Sequence, residues 1–335
     1  MIRHLAALVV CVVVAGMVAA SGPAHAAPRT WQVGIGADSA DHAVQLLDYY
    51  PRTLTIDAGD SITWVKTALV EHTVTFLSGA QPPALFLPQK DGRVVLNPLV
   101  AFPQGGPAYD GTGFASSGIL PGLGKSWTVR FTKPGRYSDL CLLHPAQVGT
   151  VVVQPAGRPR PRTQAEYDQL SARQRAEGLG AGTQLLAATK ETVRSGTRGR
   201  TYTARLAGDP AKRIALYRFG TDTLTIRVGD TVRWVMEDPD EIHTVTFAGT
   251  GQVPQFLVFE PQPTGPPRVY VNPKALAATG GAEHRGGGFY NSGILFPVSP
   301  PGPTEYALTF TQPGTFTYWC IVHVPEGMRG TIVVK

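Results

Sequence analysis

Cys320-Ile-Val-His323-Val-Pro-Glu-Gly-Met328, close to the C-terminus, decides how the rest of this 335-residue chain is read. A thiol, an imidazole three residues on and a thioether five further sit inside one short loop. Tyr318-Trp319 before the cysteine and Gly330-Thr-Ile-Val-Val334 after the methionine read as extended runs, so the loop joins two strands. A second imidazole, His243, lies in Glu241-Ile-His-Thr-Val-Thr-Phe247, whose polar–apolar alternation reads as a half-buried strand. Two imidazoles and a thiolate with a more distant thioether form a donor set that suits copper, the soft sulfurs favouring Cu(I) and the imidazoles serving Cu(II).

The pattern occurs twice. Leu54-Thr-Ile-Asp-Ala-Gly-Asp-Ser-Ile-Thr-Trp64 matches Leu224-Thr-Ile-Arg-Val-Gly-Asp-Thr-Val-Arg-Trp234, and His72-Thr-Val-Thr-Phe76 matches His243-Thr-Val-Thr-Phe247. Gly113-Phe-Ala-Ser-Ser-Gly-Ile-Leu120 matches Gly288-Phe-Tyr-Asn-Ser-Gly-Ile-Leu295, and Cys141-Leu-Leu-His144 matches Cys320-Ile-Val-His323. A repeat this long is a duplicated domain and not a solenoid, whose units are far shorter. Each copy is long enough to bury its own core.

These stretches together resemble the cupredoxins, the plastocyanin- and azurin-like blue-copper proteins. The resemblance implies an all-β chain of two tandem Greek-key β-sandwiches joined by a partly helical linker. It implies a type-1 copper in the second domain, held by His243, Cys320, His323 and Met328. It also implies that electrons pass through an apolar rim around His323, here Ile321, Val322, Val324 and Pro325. In the first domain His72, Cys141 and His144 remain, which leads us to expect a second copper. That ligand loop is two residues shorter and lacks a methionine. Gln147 or Val148 falls nearest the lost axial position; a glutamine oxygen would be a weak axial ligand, whereas valine would leave three donors.

The chain divides into residues 1–26, 27–154, 155–200 and 201–335. The first segment reads as a cleavable export signal, with Arg3, an apolar run from Leu5 to Ala20 and the small-residue pattern Ala24-His-Ala26, so cleavage is expected before Ala27. The expected product is secreted or otherwise extracytoplasmic. It retains Cys141 and Cys320 alone, at matching places in the repeat, which speaks for metal ligation over a disulfide. Residues 27–154 and 201–335 are each charge-balanced, so the net +6 comes from residues 155–200 and Arg3. This basic linker could associate weakly with an anionic cell surface, while nothing in it reads as a nucleic-acid motif. Within it Thr163-Gln-Ala-Glu166 is a capping box opening a helix expected to end near Gly178, and Gln184–Arg194 suggests a second helix.

Both copies carry a long Pro- and Gly-rich insertion, residues 78–109 and 248–284, each containing Asn-Pro. His42, His284 and Met236 read as surface or packing residues, and Asp240 and Glu241 as strand-edge charges. Multicopper oxidases need His-X-His pairs and copper nitrite reductases a histidine directly before the cysteine. This chain has neither, since Leu140 and Trp319 precede the cysteines. One-electron transfer with a redox partner protein or a small-molecule reductant is therefore the expected role, and copper sequestration or delivery the alternative.

Overall fold

The computed structural model describes residues 27–197, 199–296 and 302–335; the expected export signal lies outside them. Each repeat folds as a β-sandwich whose sheets close on its own aromatic core. In the first, strands Thr30–Asp38, Ser61–Lys66 and Ser126–Phe131 lie side by side, facing a sheet built from Thr53–Asp57, Val148–Gln154 and Gly135–Leu140. In the second, Gly199–Leu206, Thr231–Met236 and Glu305–Phe310 face Thr223–Ile226, Arg329–Val334 and Gly314–Trp319. The sheets are mixed, since Thr30–Asp38 runs parallel to Ser61–Lys66 and Thr53–Asp57 parallel to Val148–Gln154. Alternation explains the burial: Ile62 and Trp64, like Val232 and Trp234, point inward and are fully covered, while their neighbours are half-exposed.

The two sandwiches share a sheet. Strand Ile214–Leu216 adds antiparallel to Val44–Tyr50, pairing Ile214 with Leu46, Ala215 with Gln45 and Leu216 with Val44. Counted back from the matched Leu54 and Leu224, Gln45 and Ala215 occupy the same place in the repeat. Equivalent residues thus meet each other, which is the signature of an isologous two-fold contact, here made inside one chain.

The long insertions repeat this device. Phe86–Pro88 pairs with Val94–Leu96, and Leu257–Glu260 with Arg268–Val271. The two hairpins join through Val95 and Tyr270, again equivalent residues, each lying two before its Asn-Pro. The asparagines explain their own presence. Asn97 caps a helical turn through Leu99 N–H and ties it to Ala84 O, as Asn272 does with Lys274 N–H and Gln255 O. Phe86 and Val94 of the first domain pack, with Ile242, against a cluster containing Ile321, so they lie close to the neighbours of Cys320 and His243.

The linker differs from expectation. One continuous helix spans Gln164–Ala188, opened by the expected capping box, and Thr192–Gly196 is a strand. The helix continues through Gly178 and Gly182 because these glycines let it lie close on the shared strands. A Cβ on Gly182 would meet Val44 Cγ1 at 2.2 Å, and one on Gly178 would meet Leu46 Cδ1 at 2.8 Å. Leu179, Leu185 and Leu186 cover a cluster drawn from both domains, including Val44, Leu46, Ile214 and Leu216. Glycine's intrinsic helix cost is thereby offset by packing. Gly182→Val should lower the unfolding free energy by about 1–3 kcal/mol through overpacking. Gly180→Ala, whose Cβ meets open space, should raise it by up to about 1 kcal/mol; urea denaturation of the two variants checks both signs.

Candidate metal centres

Each domain brings its two histidines and its cysteine together in a buried group, His72 with Cys141 and His144, and His243 with Cys320 and His323. In the first, the two Nδ1 atoms lie 3.1 Å apart and Cys141 Sγ lies 3.5 Å from His144 Nδ1. In the second, the Nδ1 atoms lie 3.2 Å apart, with Cys320 Sγ 3.4 Å from His323 Nδ1 and 3.7 Å from His243 Nδ1. Facing imidazole lone pairs at such separations repel unless a proton or a cation lies between them. A triangle with these edges suits one first-row ion about 2 Å from each nitrogen.

The same hydrogen bonds frame both groups. Thr73 N–H and Thr244 N–H approach Cys141 Sγ and Cys320 Sγ at 3.3 and 3.4 Å. The hydroxyls of Thr73 and Thr244 accept from Leu142 N–H and Ile321 N–H, each at 2.8 Å, pinning the residue that follows the cysteine. Ser117 and Ser292, from the repeated Ser-Gly-Ile-Leu motif, accept from Val74 N–H and Val245 N–H at 2.8 Å. That motif therefore serves to hold the strand carrying the first histidine.

The framework also decides between Gln147 and Val148. Cys141 N–H donates to Gln147 O as Cys320 N–H donates to Met328 O, at 3.0 and 3.1 Å, so Gln147 occupies the place of Met328. Gln147 is fully buried, its Oε1 3.4 Å from His144 Nδ1 and its amide donating to Asp48 O, whereas Val148 is exposed. Met328 is fully buried in the same cluster as Cys320.

Charge is arranged to favour thiolates. Burial pushes both thiols up, yet His144 with His72, and His323 with His243, hold Cys141 and Cys320 well below the ordinary thiol value. A thiolate is the form that binds metal.

Two expectations are corrected here. His323 does not reach the surface through an apolar rim: it is 3% exposed, as is His144. Both are covered because the domains meet face to face over them. Glu241 is no strand-edge charge but a buried carboxylate between the two groups, with Oε1 3.1 Å from His144 Nε2 and Oε2 3.4 Å from His323 Nε2. Asp240 is half-buried beside it. Burial raises the Glu241 carboxyl, but His144 and His323 hold it well below the usual range. Burial lowers His323 while Cys320 and Glu241 raise it, to about 10. Tyr217 completes this interior, its hydroxyl donating to Glu241 Oε1 at 2.8 Å and its ring stacked on His323 with centroids 4.0 Å apart. No motif in either repeat marks Glu241 or Tyr217. Among the residues set aside, His284 is buried among Phe247, Tyr290, Phe310 and Phe316, Met236 is buried, and His42 lies beside Asp38.

Residues 37–154 match the family model of copper-binding proteins of the plastocyanin/azurin family. The chloroplastic plastocyanin of Tetradesmus obliquus is 28% identical over 124 residues, covering 36% of this chain and 66% of that protein, just under two thirds of its length. Among solved structures, a Cu(I) form of one amicyanin mutant and a reduced form of another align at 22% and 21% identity. Each has a TM-score of 0.24 and covers 37% of this chain and 82% of the other. The similarity to the plastocyanin/azurin family of copper-binding proteins thus lies in segment 37–154, the first of the two repeats.

Removing one framing hydroxyl tests how the ligand loop is held. Thr244→Ala leaves the buried Ile321 N–H without its acceptor and should cost about 1–3 kcal/mol. Thr244→Ser, which keeps the hydroxyl, should lose much less. Chemical denaturation of the metal-free protein measures both.

Proposed function

We propose that this protein is an exported one-electron carrier holding two type-1 copper ions. His72, Cys141 and His144 hold the first, with Gln147 as weak axial donor. His243, Cys320, His323 and Met328 hold the second. The observation that carries this reading is the convergence of two imidazole Nδ1 atoms and one thiol in each domain, inside the same hydrogen-bonded frame. The match of residues 37–154 to a copper-binding family model supports the choice of metal. Copper bound there would supply a centre that gains and loses one electron, and the fully buried donors would hold both oxidation states with little rearrangement. Burial of both ligand sets also favours retention of the metal over delivery to another protein. Export rests on the apolar N-terminal stretch; among the described residues no helix is long and apolar enough to cross a membrane. A redox partner protein or small-molecule reductant would exchange the electron.

Copper-loaded protein should contain two copper ions per chain and show intense thiolate-to-Cu(II) bands. Cys141→Ser and Cys320→Ser should each abolish one ion and its band. A single copper unaffected by Cys141→Ser would contradict the first site, and colourless Cu(II) protein would contradict both.

The axial donors predict a difference between the sites. An amide oxygen is harder than a thioether and favours Cu(II), so the first site should have the lower reduction potential. Gln147→Met should raise that potential and leave the second nearly unchanged, which a spectrally resolved redox titration reads directly.

A further inference from the structure

Both candidate centres hide their C-terminal histidine from solvent, and both hide it against one carboxylate. His144 and His323 turn Nδ1 toward their metal groups, so Nε2 carries the remaining proton and faces Glu241 as donor. The acid is not a feature of the repeat. Val70 stands two residues before His72, where Glu241 stands two before His243. A buried carboxylate is costly unless paired, and the partners of this one are the two histidines and Tyr217. The other histidine of each group offers no such connection among the described residues, where Nε2 of His72 and of His243 is buried without a hydrogen-bond partner. The histidine contact that leads out of each site therefore leads into the other.

We propose that Glu241 is an electronic bridge through which the two metal sites share one electron within a single chain. This rests on the reading that both sites hold copper. The path runs through the His144 ring, Glu241 Oε1, Cδ and Oε2, and the His323 ring, with two contacts of 3.1 and 3.4 Å as its only breaks in covalent connection. With copper held in both sites, an electron reaching the first would pass to the second along this path, the first being reoxidised as the second is reduced. No proton departs, because both Nε2–H groups stay against the carboxylate. The harder oxygen of Gln147 in one site and the thioether of Met328 in the other set the direction, from the first domain to the second. Glu241 touches neither ion and acts by joining and orienting their ligands.

The test uses the full chain with both sites oxidised. A pulse of photogenerated one-electron reductant, well below one equivalent, is followed by absorption at the two charge-transfer bands. In the native protein the electron should move from the first centre to the second at a rate independent of protein concentration. Glu241→Ala should slow this step about tenfold or more, the scale on which partners of metal-bound histidines act. Glu241→Gln is isosteric, yet its amide NH₂ must face one of the two Nε2–H donors, so it should also be slow. Glu237→Gln removes a surface carboxylate that pairs with Arg205, away from both sites, and should stay near the native rate. Site potentials measured in every variant separate a lost path from a lost driving force. The bridge is refuted by a Glu241→Gln rate equal to the native one, by equal slowing in Glu237→Gln, or by redistribution that scales with protein concentration. Fewer than two coppers in the native chain would instead refute the copper reading, before any electron is delivered.

Discussion

The antiparallel pairing of Val44–Leu46 with Ile214–Leu216 is the constraint on which the rest of this molecule depends. Because equivalent residues pair, it sets the two copies about a local two-fold relation. A contact made by one domain tends to be matched by its twin, and the hairpins that meet at Val95 and Tyr270 obey the same relation. The consequence for chemistry is direct. The C-terminal histidine of a cupredoxin-like site lies on the loop at the end of its sandwich, and here both ends are turned toward each other. His144 and His323 are consequently buried, and the pair of sites becomes a single interior.

Within that interior the symmetry is incomplete at the positions that matter most. Gln147 stands against Met328, and Val70 against Glu241. Two identical acids facing two histidines across the interface would place like charges together in a medium that screens them poorly. A single carboxylate serves both imidazoles. Tyr217 supplies a further donor to it and a stacked surface for His323. Arg213 and Arg52 likewise gather on the buried carboxylate of Asp48, whose backbone carbonyl accepts from the Gln147 amide. Gln147, which takes the place of Met328 in the first site, is thereby tied to the shared strand itself.

Much of this was legible in the order of the residues. The ligand spacing, the duplicated Thr-rich strands and the Thr163–Glu166 capping box are local patterns, and local patterns survive translation into structure. What escaped reading was non-local. Glu241 reads as a charge on a strand edge because its partner His144 lies in the other repeat. The insertions read as long loops because each supplies only half of a four-stranded sheet. The helix reads as ending near Gly178 because glycine is a poor helix former in isolation. Its packing on Leu46 and Val44 reverses that preference. Gln147 and Val148 were indistinguishable by spacing, and one backbone hydrogen bond to Cys141 separates them.

The central claim is that two copper centres face each other within one chain, and pulsed dipolar electron paramagnetic resonance on the fully oxidised, copper-loaded protein tests it most directly. Two Cu(II) ions joined through His144, Glu241 and His323 should show one intramolecular dipolar coupling. That coupling should be independent of protein concentration and should be lost in Cys141→Ser. A spectrum from a single isolated Cu(II), or from two ions with no coupling between them, would contradict the account.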